Sequence, residues 1–168
     1  YYVKNITNEI FSLDYILDMG AFSDQEMALA VEYLEYLGTD KYTSSDIERE
    51  MFKLGLSYSV YAAEDRVYVS LSGLEESLVE GIKIFEHILN NVKPDQEAYD
   101  NMVLDIIKQR KDNKLSKGYI AYGMREYAKY GDNSPFKYII QEETFDTINV
   151  KRLADKIKSL TSFEHYVY

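Results

Sequence analysis

Apolar side chains alternate with mostly polar ones in two parts of the chain, and this pattern predicts β-structure. A half-buried strand is predicted over residues 11–18, where one face carries Phe11, Leu13, Tyr15 and Leu17. Residues 56–61 and 67–71 alternate in the same way on either side of a polar turn at Glu64 and Asp65, which predicts a hairpin. Shorter extended segments are predicted at residues 1–4 and 165–168.

Other segments repeat their apolar side chains every three or four residues, which predicts amphipathic helices. They cover residues 23–37, 45–54, 74–89, 94–107, 118–130 and 149–160. Three of them follow a capping-box pattern: Ser23 with Glu26, Ser45 with Glu48, and Ser72 with Glu75. Gly38 and Gly55 follow two of the helices, and glycine there is predicted to end a helix in the left-handed conformation.

The order of these elements predicts an α+β fold. Strands joined by a hairpin, with helices collected in runs, favour a mainly antiparallel β-sheet that has its helices packed on one face. Serines on the other face of the hairpin indicate a surface that is exposed to solvent or contacts a partner. The sequence contains no internal repeat and no linker, so residues 1–168 are predicted to form a single domain.

Charge and composition narrow the possible partners. The chain has 29 acidic and 19 basic side chains, a formal net charge of −10 at pH 7. This excess disfavours nucleic acid and anionic membranes as partners, and it favours a solvated surface that keeps the domain soluble. Most of the acidic excess lies in residues 1–90, which leaves open that this part faces a basic partner or basic peptides.

The absence of some sequence features also limits the interpretation. Without cysteine, disulfides and thiolate zinc sites are excluded, and the compartment stays unassigned. We expect no transmembrane helix, because no apolar run reaches 18 residues, and the chain shows no signal-peptide pattern. It does not begin with methionine, and we expect it to be a fragment of a larger multidomain protein.

One stretch of the sequence resembles a known family. The segment LEYLGTDKYTSSDIEREMFKLG is similar to the part of M16 peptidases (insulinase, pitrilysin and mitochondrial processing peptidase) that follows their H-x-x-E-H zinc motif. With Gly38 and Thr39 as the anchor, the two motif histidines fall on Leu29 and Tyr33, and the motif glutamate falls on Glu32. Both histidines are therefore replaced in this degenerate motif.

The resemblance extends further along the chain. The stretch RVYVSLSGLEESL from Arg66 is similar to the strand that leads into the next helix of the family. Residues 94–108 are similar to the helix that supplies a third zinc ligand, a glutamate, and that position falls at Asp105 or Ile106. A catalytic zinc site needs two imidazoles one helical turn apart and a carboxylate. The only histidines, His87 and His165, lie on different predicted elements, so we interpret both as structural or solvated.

These residues predict no catalytic group and no metal site in this domain. Without a metal, Glu32 has no activated water to deprotonate, and we interpret it as an exposed helix carboxylate. An active metalloenzyme with nonstandard acidic ligands is a remaining alternative. Four tyrosines between residues 119 and 130 are candidate contacts for a peptide or partner: Tyr119, Tyr122, Tyr127 and Tyr130.

The resemblance implies a non-catalytic domain of an M16-type zinc metallopeptidase. Such a domain shapes the peptide-binding chamber, while zinc and proteolysis belong to a catalytic domain elsewhere in the parent protein. The implied partners are other M16 domains, of the same chain or complex, and a peptide substrate. The alternative is a structural or assembly subunit of the same fold with no proteolytic role, which would use an exposed sheet edge or the serine-rich face as its contact surface.

Overall fold

The computed structural model of the chain describes residues 3–168. It shows a β-sheet with helices packed on one face. The strands are β1 (Ile10–Leu17), β2 (Leu56–Ala62), β3 (Val67–Leu74) and β4 (His165–Val167). The helices are α1 (Gln25–Tyr33), α2 (Ser44–Lys53), α3 (Leu78–Asn91), α4 (Gln96–Leu115), α5 (Lys117–Tyr130), α6 (Glu142–Phe145) and α7 (Val150–Ser159). Short 3₁₀ turns include Leu34–Tyr36 after α1 and Pro135–Tyr138 before α6. The α+β prediction is confirmed.

All strand pairs in the described part of the chain are antiparallel, in the order β2-β3-β1-β4. In the predicted hairpin, Val60 of β2 lies opposite Val69 of β3. β3 pairs on its other side with β1, where Leu13 lies opposite Leu71. Within residues 3–168, β2 and β4 are therefore the two edges of the sheet.

The core lies between one face of the sheet and the helices. The hairpin contributes Leu56, Val60, Val67, Val69 and Leu71, all buried. Full burial of such a side chain stabilises the fold by about 1.5–3 kcal/mol. The opposite face is polar: the Ser70 hydroxyl donates to the Asp14 carboxylate at 2.5 Å, and the hydroxyls of Ser57 and Ser72 lie 3.0 Å apart.

The first two helices begin one or two residues away from the predicted capping boxes. Asp24, and not Ser23, caps α1, and its carboxylate accepts a hydrogen bond from the α1 backbone at 3.0 Å. α2 does have a reciprocal capping box, but Thr43 and Asp46 form it in place of Ser45. Each predicted serine lies within two residues of the actual cap, Asp24 or Thr43. All of these residue types cap helices well, so the sequence pattern did not distinguish between them.

The third predicted box, which started from Ser72, is wrong for a different reason. Strand β3 continues to Leu74, and a 3₁₀ turn over Glu75–Ser77 separates it from α3. Of the extended segment predicted at residues 1–4, residues 3 and 4 belong to no strand, and residues 1 and 2 lie outside the described part.

The two glycines that were predicted to end helices act differently. Gly55 follows α2 with a φ of 63°, the left-handed conformation that glycine adopts without strain. Gly38 has no positive φ, and the helical segment before it ends in a 3₁₀ turn. A Cβ atom at Gly38 would lie only 2.7 Å from the carbonyl oxygen of Tyr42, so glycine is needed there for space.

Two helices joined through a single residue, α4 and α5, form the next part of the fold. α4 has 20 residues, and Ser116 alone separates it from α5. The Ser116 hydroxyl caps α5 by accepting a hydrogen bond from the backbone N–H of Tyr119 at 3.3 Å. No helix in the described part of the chain has the length and apolar character needed to cross a membrane.

Candidate functional site

A groove lies between α1 and the edge strand β2, and α4 and the segment after α5 close it. Its volume is about 370 Å³, and we call it the α1–β2 groove. Its walls include Leu29, Glu32, Val60, Ile106, Arg110 and Ile140. Hydrocarbon side chains therefore dominate the walls, with charged groups at a few points.

Strand β2 gives this groove a backbone edge that pairs with no second strand in the described part of the chain. Val60, Tyr61 and Ala62 line the groove, and β2 pairs only with β3 among the described residues. Residues 57–61 make no other backbone hydrogen bond within that part of the chain. An edge strand of this kind presents N–H and C=O groups that another extended chain can pair with.

Two of the groove residues lie at positions singled out in the sequence. Leu29 of α1 is 4% exposed, and Ile106 of α4 is 8% exposed. Asp105, the neighbouring candidate, is exposed and accepts a hydrogen bond from the Tyr36 hydroxyl at 3.1 Å. Ile106 is therefore the α4 residue that shares the groove with Leu29, and neither side chain can bind a metal.

Tyr33, one turn after Leu29, is fully buried away from the groove. Its hydroxyl donates to the carbonyl oxygen of Asp95 at 2.5 Å and accepts from the backbone N–H of Asp95 at 2.8 Å. Its ring meets that of Tyr99 edge to face, with centroids 5.9 Å apart. Tyr33 therefore joins α1 to the start of α4.

Glu32 and Glu35 are the acidic side chains that line the groove. Loss of hydration at the groove wall, reinforced by the Glu35 carboxylate, raises the pKa of Glu32 above its ordinary value. The Arg110 guanidinium opposes this rise. Glu32 is nevertheless solvent-exposed, as expected for a surface helix carboxylate.

Arg110 holds the far wall of the groove in place. Its guanidinium donates to the carbonyl oxygen of Ile140 at 2.9 Å and lies 5.2 Å from the ring centroid of Phe145. The same wall is fixed at its other end, where the ring of Tyr138 stacks on Phe22 with centroids 4.2 Å apart. The wall is therefore an ordered part of the groove.

The sequence matches no family model and no curated protein. Among solved structures, the peptidase M16 inactive domain from Pseudomonas fluorescens is similar with a TM-score of 0.71 at 18% identity, over 89% of this chain and 38% of that one. The periplasmic protease PqqL from Escherichia coli is similar with a TM-score of 0.69 at 12% identity, over 94% of this chain and 18% of that one. The ferredoxin protease FusC, in complex with Arabidopsis ferredoxin, is similar with a TM-score of 0.72 at 14% identity, over 95% of this chain and 18% of that one. The chain has an M16-like fold.

The M16-like chain spans less than two-fifths of the length of these structures, 38% of the first and 18% of the other two. At identities of 12–18% the likeness establishes the fold alone. It confirms the family resemblance at that level, including the antiparallel sheet that has helices on one face.

Zinc does not fit the motif positions of this M16-like chain. Leu29 and Ile106 offer only hydrocarbon, and the hydroxyl of Tyr33 is occupied by the Asp95 backbone. Among residues 3–168, no three His, Cys, Asp or Glu side chains lie close enough together to hold a metal ion.

The four candidate tyrosines lie on α5 and do not line the α1–β2 groove. Tyr119 and Tyr122 pack against Phe136, with ring centroids 5.9 and 5.8 Å away. Phe136 belongs to the segment that continues into the groove wall at Tyr138 and Ile140. Tyr127 and Tyr130 are more exposed, at 61% and 55%.

The two histidines lie in separate places and contact different groups. The Nε2 atom of His87 lies 3.2 Å from the Thr39 hydroxyl and 3.1 Å from an Asp40 carboxylate oxygen, so it holds the loop before α2. His165 contacts the Phe163 carbonyl oxygen through Nδ1 at 2.8 Å. Its ring also meets that of Tyr15 edge to face, with centroids 5.4 Å apart.

Sequence reasoning missed the groove and the role of Arg110. The groove is assembled from α1, β2, α4 and residues 138–145, which no local pattern connects. One signal was available: Arg110 lies four residues after Ile106, so the two share a face of α4.

Proposed function

We propose that this chain is a non-catalytic domain of a larger M16-type zinc metallopeptidase, and that it holds peptide in the α1–β2 groove. The observation that carries this proposal is that Leu29 and Ile106 line one apolar groove, beside a strand edge that pairs with no other strand of residues 3–168. At the positions where the resemblance implies metal ligands, the chain has a surface suited to binding an apolar side chain.

The groove and the strand edge together suit an extended peptide. A peptide that pairs with β2 gains main-chain hydrogen bonds, and every second side chain turns towards the sheet face on the same side. An apolar side chain of the peptide could then enter the cavity beside Leu29, Ile106 and Ile140. The main-chain hydrogen bonds supply affinity, and the cavity supplies selectivity.

The rest of the proposal concerns the parent protein. One similar structure is described as an inactive M16 domain, and the present chain spans only part of each similar structure. In the parent, zinc and the cleavage step belong to a catalytic M16 domain on the same chain or in the same complex. The present domain shapes the chamber and positions the peptide.

The first experiment measures hydrogen exchange of the β2 amides with and without a synthetic peptide that contains leucine and valine in alternate positions. We expect slower exchange at residues 57–61, and weaker binding for Ile139→Asp, which places a charge on the groove wall. Leu104→Asp, at an exposed position on α4 outside the groove, is the matched control. Unchanged exchange in β2, or equal binding by both variants, would remove the groove from the proposal.

A second experiment addresses the absence of catalysis. The chain is incubated with unstructured peptides and zinc, and the products are separated by mass. We expect intact peptides. Cleavage that scales with the concentration of this chain would overturn the non-catalytic role.

A structural or assembly subunit is the second candidate, favoured by the polar outer face of the sheet. There Ser70 binds Asp14, Ser57 lies against Ser72, and the rings of Tyr61 and Tyr68 stack with centroids 4.8 Å apart. This ordered face could dock a partner without any peptide in the groove. Co-purification of the parent protein with a stable assembly, together with no peptide protection of β2, would favour this candidate.

A further inference from the structure

The sign of the net charge reverses around the junction between α4 and α5. Residues 108–137 contain eight Lys or Arg and only three Asp or Glu, although the whole chain has 19 basic and 29 acidic side chains. Lys111, Lys114 and Lys117 are exposed around the turn between the helices and form no ion pair with another described residue. We call residues 108–137 the basic arm.

Part of the basic arm is apolar and faces solvent. Ile120, Met124 and Tyr127 are exposed by 46%, 70% and 61%, and they follow one another at the spacing of one helix face. Glu126 is the only buried residue of α5. An apolar stripe of this kind, bordered by charged residues, is typical of a protein interaction site.

The aromatic side of the arm leads towards the α1–β2 groove. Tyr119 and Tyr122 are fixed against Phe136, and the Arg125 guanidinium lies 5.3 Å from the ring centroid of Tyr122. Phe136 precedes Tyr138, which lines the groove. A peptide held in the groove can therefore continue onto α5 without leaving the surface.

We propose that the basic arm binds an acidic polypeptide segment, so that the domain selects peptides in which Asp or Glu residues flank the part held in the groove. The inference rests on the proposed peptide-holding function and names its substrate class. Lysine ammonium groups at the helix turn pair with the carboxylates, and tyrosine hydroxyls donate to them. Apolar side chains of the same segment cover Ile120, Met124 and Tyr127.

Charge complementarity favours an acidic peptide over nucleic acid. Outside residues 108–137 the chain has 26 acidic and 11 basic side chains, by difference from the total of 29 and 19. A long phosphate backbone that left the arm would meet this acidic surface and be repelled. A short acidic segment fits within the basic arm, and its remaining residues can be neutral.

The test measures binding of three fluorescein-labelled peptides by anisotropy. All three share a Leu-Val core. The Glu peptide carries the flank Glu-Tyr-Glu-Leu-Glu-Glu, and the Gln and Lys peptides carry the same flank with Gln or Lys in place of each Glu. We expect the Glu peptide to bind about tenfold more tightly than the Gln peptide, and the difference to shrink as salt is raised from 50 to about 500 mM. Equal binding of the Glu and Gln peptides would overturn the inference.

Variants locate the contact. Lys111→Glu/Lys114→Glu/Lys117→Glu is expected to remove the preference for the Glu peptide, and Met124→Ser/Tyr127→Ser to weaken its binding severalfold. Lys41→Glu/Lys93→Glu/Lys151→Glu changes the net charge equally at exposed sites outside the arm, and is expected to keep the preference. Equal loss in both triple variants would mean a general charge effect and would overturn the arm as the site.

The outcomes separate this inference from the proposed function. If the Glu and Gln peptides both protect β2 but bind equally, the groove function stands and the acidic preference fails. If the Glu peptide binds the arm and leaves β2 exchange unchanged, the arm stands and the groove function fails. Tighter binding of a single-stranded oligonucleotide than of the Glu peptide, lost in the arm variant, would replace the peptide as the ligand class.

Discussion

The hydroxyl of Tyr33 is hydrogen-bonded to both main-chain polar groups of Asp95, donating to the carbonyl oxygen at 2.5 Å and accepting from the N–H at 2.8 Å. The side chain thus links α1 to the residue that caps α4. Tyr33 therefore has a structural role that does not depend on a metal ion.

Tyr33→Phe tests this link. The change leaves the part-buried N–H of Asp95 without its partner and removes one of two hydrogen bonds to the Asp95 carbonyl oxygen, which still accepts from the Tyr99 N–H. We therefore expect a loss of about 1–3 kcal/mol in the free energy of unfolding. Urea denaturation measures it. Tyr36→Phe removes an exposed hydrogen bond to Asp105 and should stay within about 0.5 kcal/mol. Similar losses in both variants would mean that the Asp95 contacts carry no special weight.

Restoring histidine at two motif positions should not restore a zinc peptidase. In Leu29→His/Tyr33→His, a third protein ligand is still missing, because Ile106 is the α4 residue in the groove. We expect no tight zinc binding by calorimetry and no appreciable peptidase activity. The same variant should also be less stable than the parent chain, because it loses the Tyr33 contacts. Zinc-dependent cleavage by this double variant would contradict the prediction.

Gly38→Ala should destabilise the loop before α2. The added methyl group would lie 2.7 Å from the Tyr42 carbonyl oxygen, which accepts the Thr39 N–H at 2.7 Å and cannot move freely. We expect a loss of about 1–3 kcal/mol, measured by thermal or urea unfolding. Gly118→Ala is the matched control, because its new methyl group would meet only the Ser116 hydroxyl, at 3.9 Å. That second change should be neutral or slightly stabilising, since alanine favours a helix.

Asp24 predicts a specific loss of stability in acid. Burial, the largest single influence on this carboxyl, acts to raise its pKa, but hydrogen bonds from Lys156 and from the Met27 N–H outweigh it and leave the pKa below the ordinary value. A lowered folded pKa stabilises the fold fully above the ordinary value of about 3.9, and this contribution disappears as the pH falls through the folded pKa.

Asp24→Asn isolates the charge, because asparagine also caps helices well. We expect this variant to be less stable than the parent chain at pH 7, with the difference shrinking towards pH 2. Asp24→Ala removes the cap as well and should cost about 1 kcal/mol more at both pH values. If the difference in stability between the parent chain and Asp24→Asn is independent of pH, the ionised carboxylate does not contribute to the stability of the fold.

Most of the fold could be predicted from the sequence, because its signals are local. The alternation in residues 56–71 predicts the hairpin and the face on which its valines are buried, and Gly55 ends α2 as expected. Helix starts were displaced where two capping residues are neighbours, as at Ser23 and Asp24. The Ser72 box failed because pairing with two neighbouring strands outweighed the local helix signal at the end of β3.

The candidate site was predicted less well, because it depends on contacts distant in sequence. Resemblance placed Leu29, Glu32 and Tyr33 correctly on one helix but could not tell that Tyr33 points away from the groove. That orientation follows from Asp95, 62 residues later. The groove wall likewise depends on the Arg110 contact with Ile140, 30 residues away.

The single residue between α4 and α5 has a consequence for how the basic arm meets a partner. Ser116 has φ −82° and ψ 115°, an extended backbone conformation between the two helices. The inclination of α5 relative to α4 is therefore set by the two torsion angles of Ser116 together with the packing of Tyr119 and Tyr122 on Phe136. Because Lys111 and Lys114 lie on α4 while Tyr127 and Tyr130 lie in the last turn of α5, the conformation at Ser116 also fixes the distance that a bound segment must span between lysine and tyrosine.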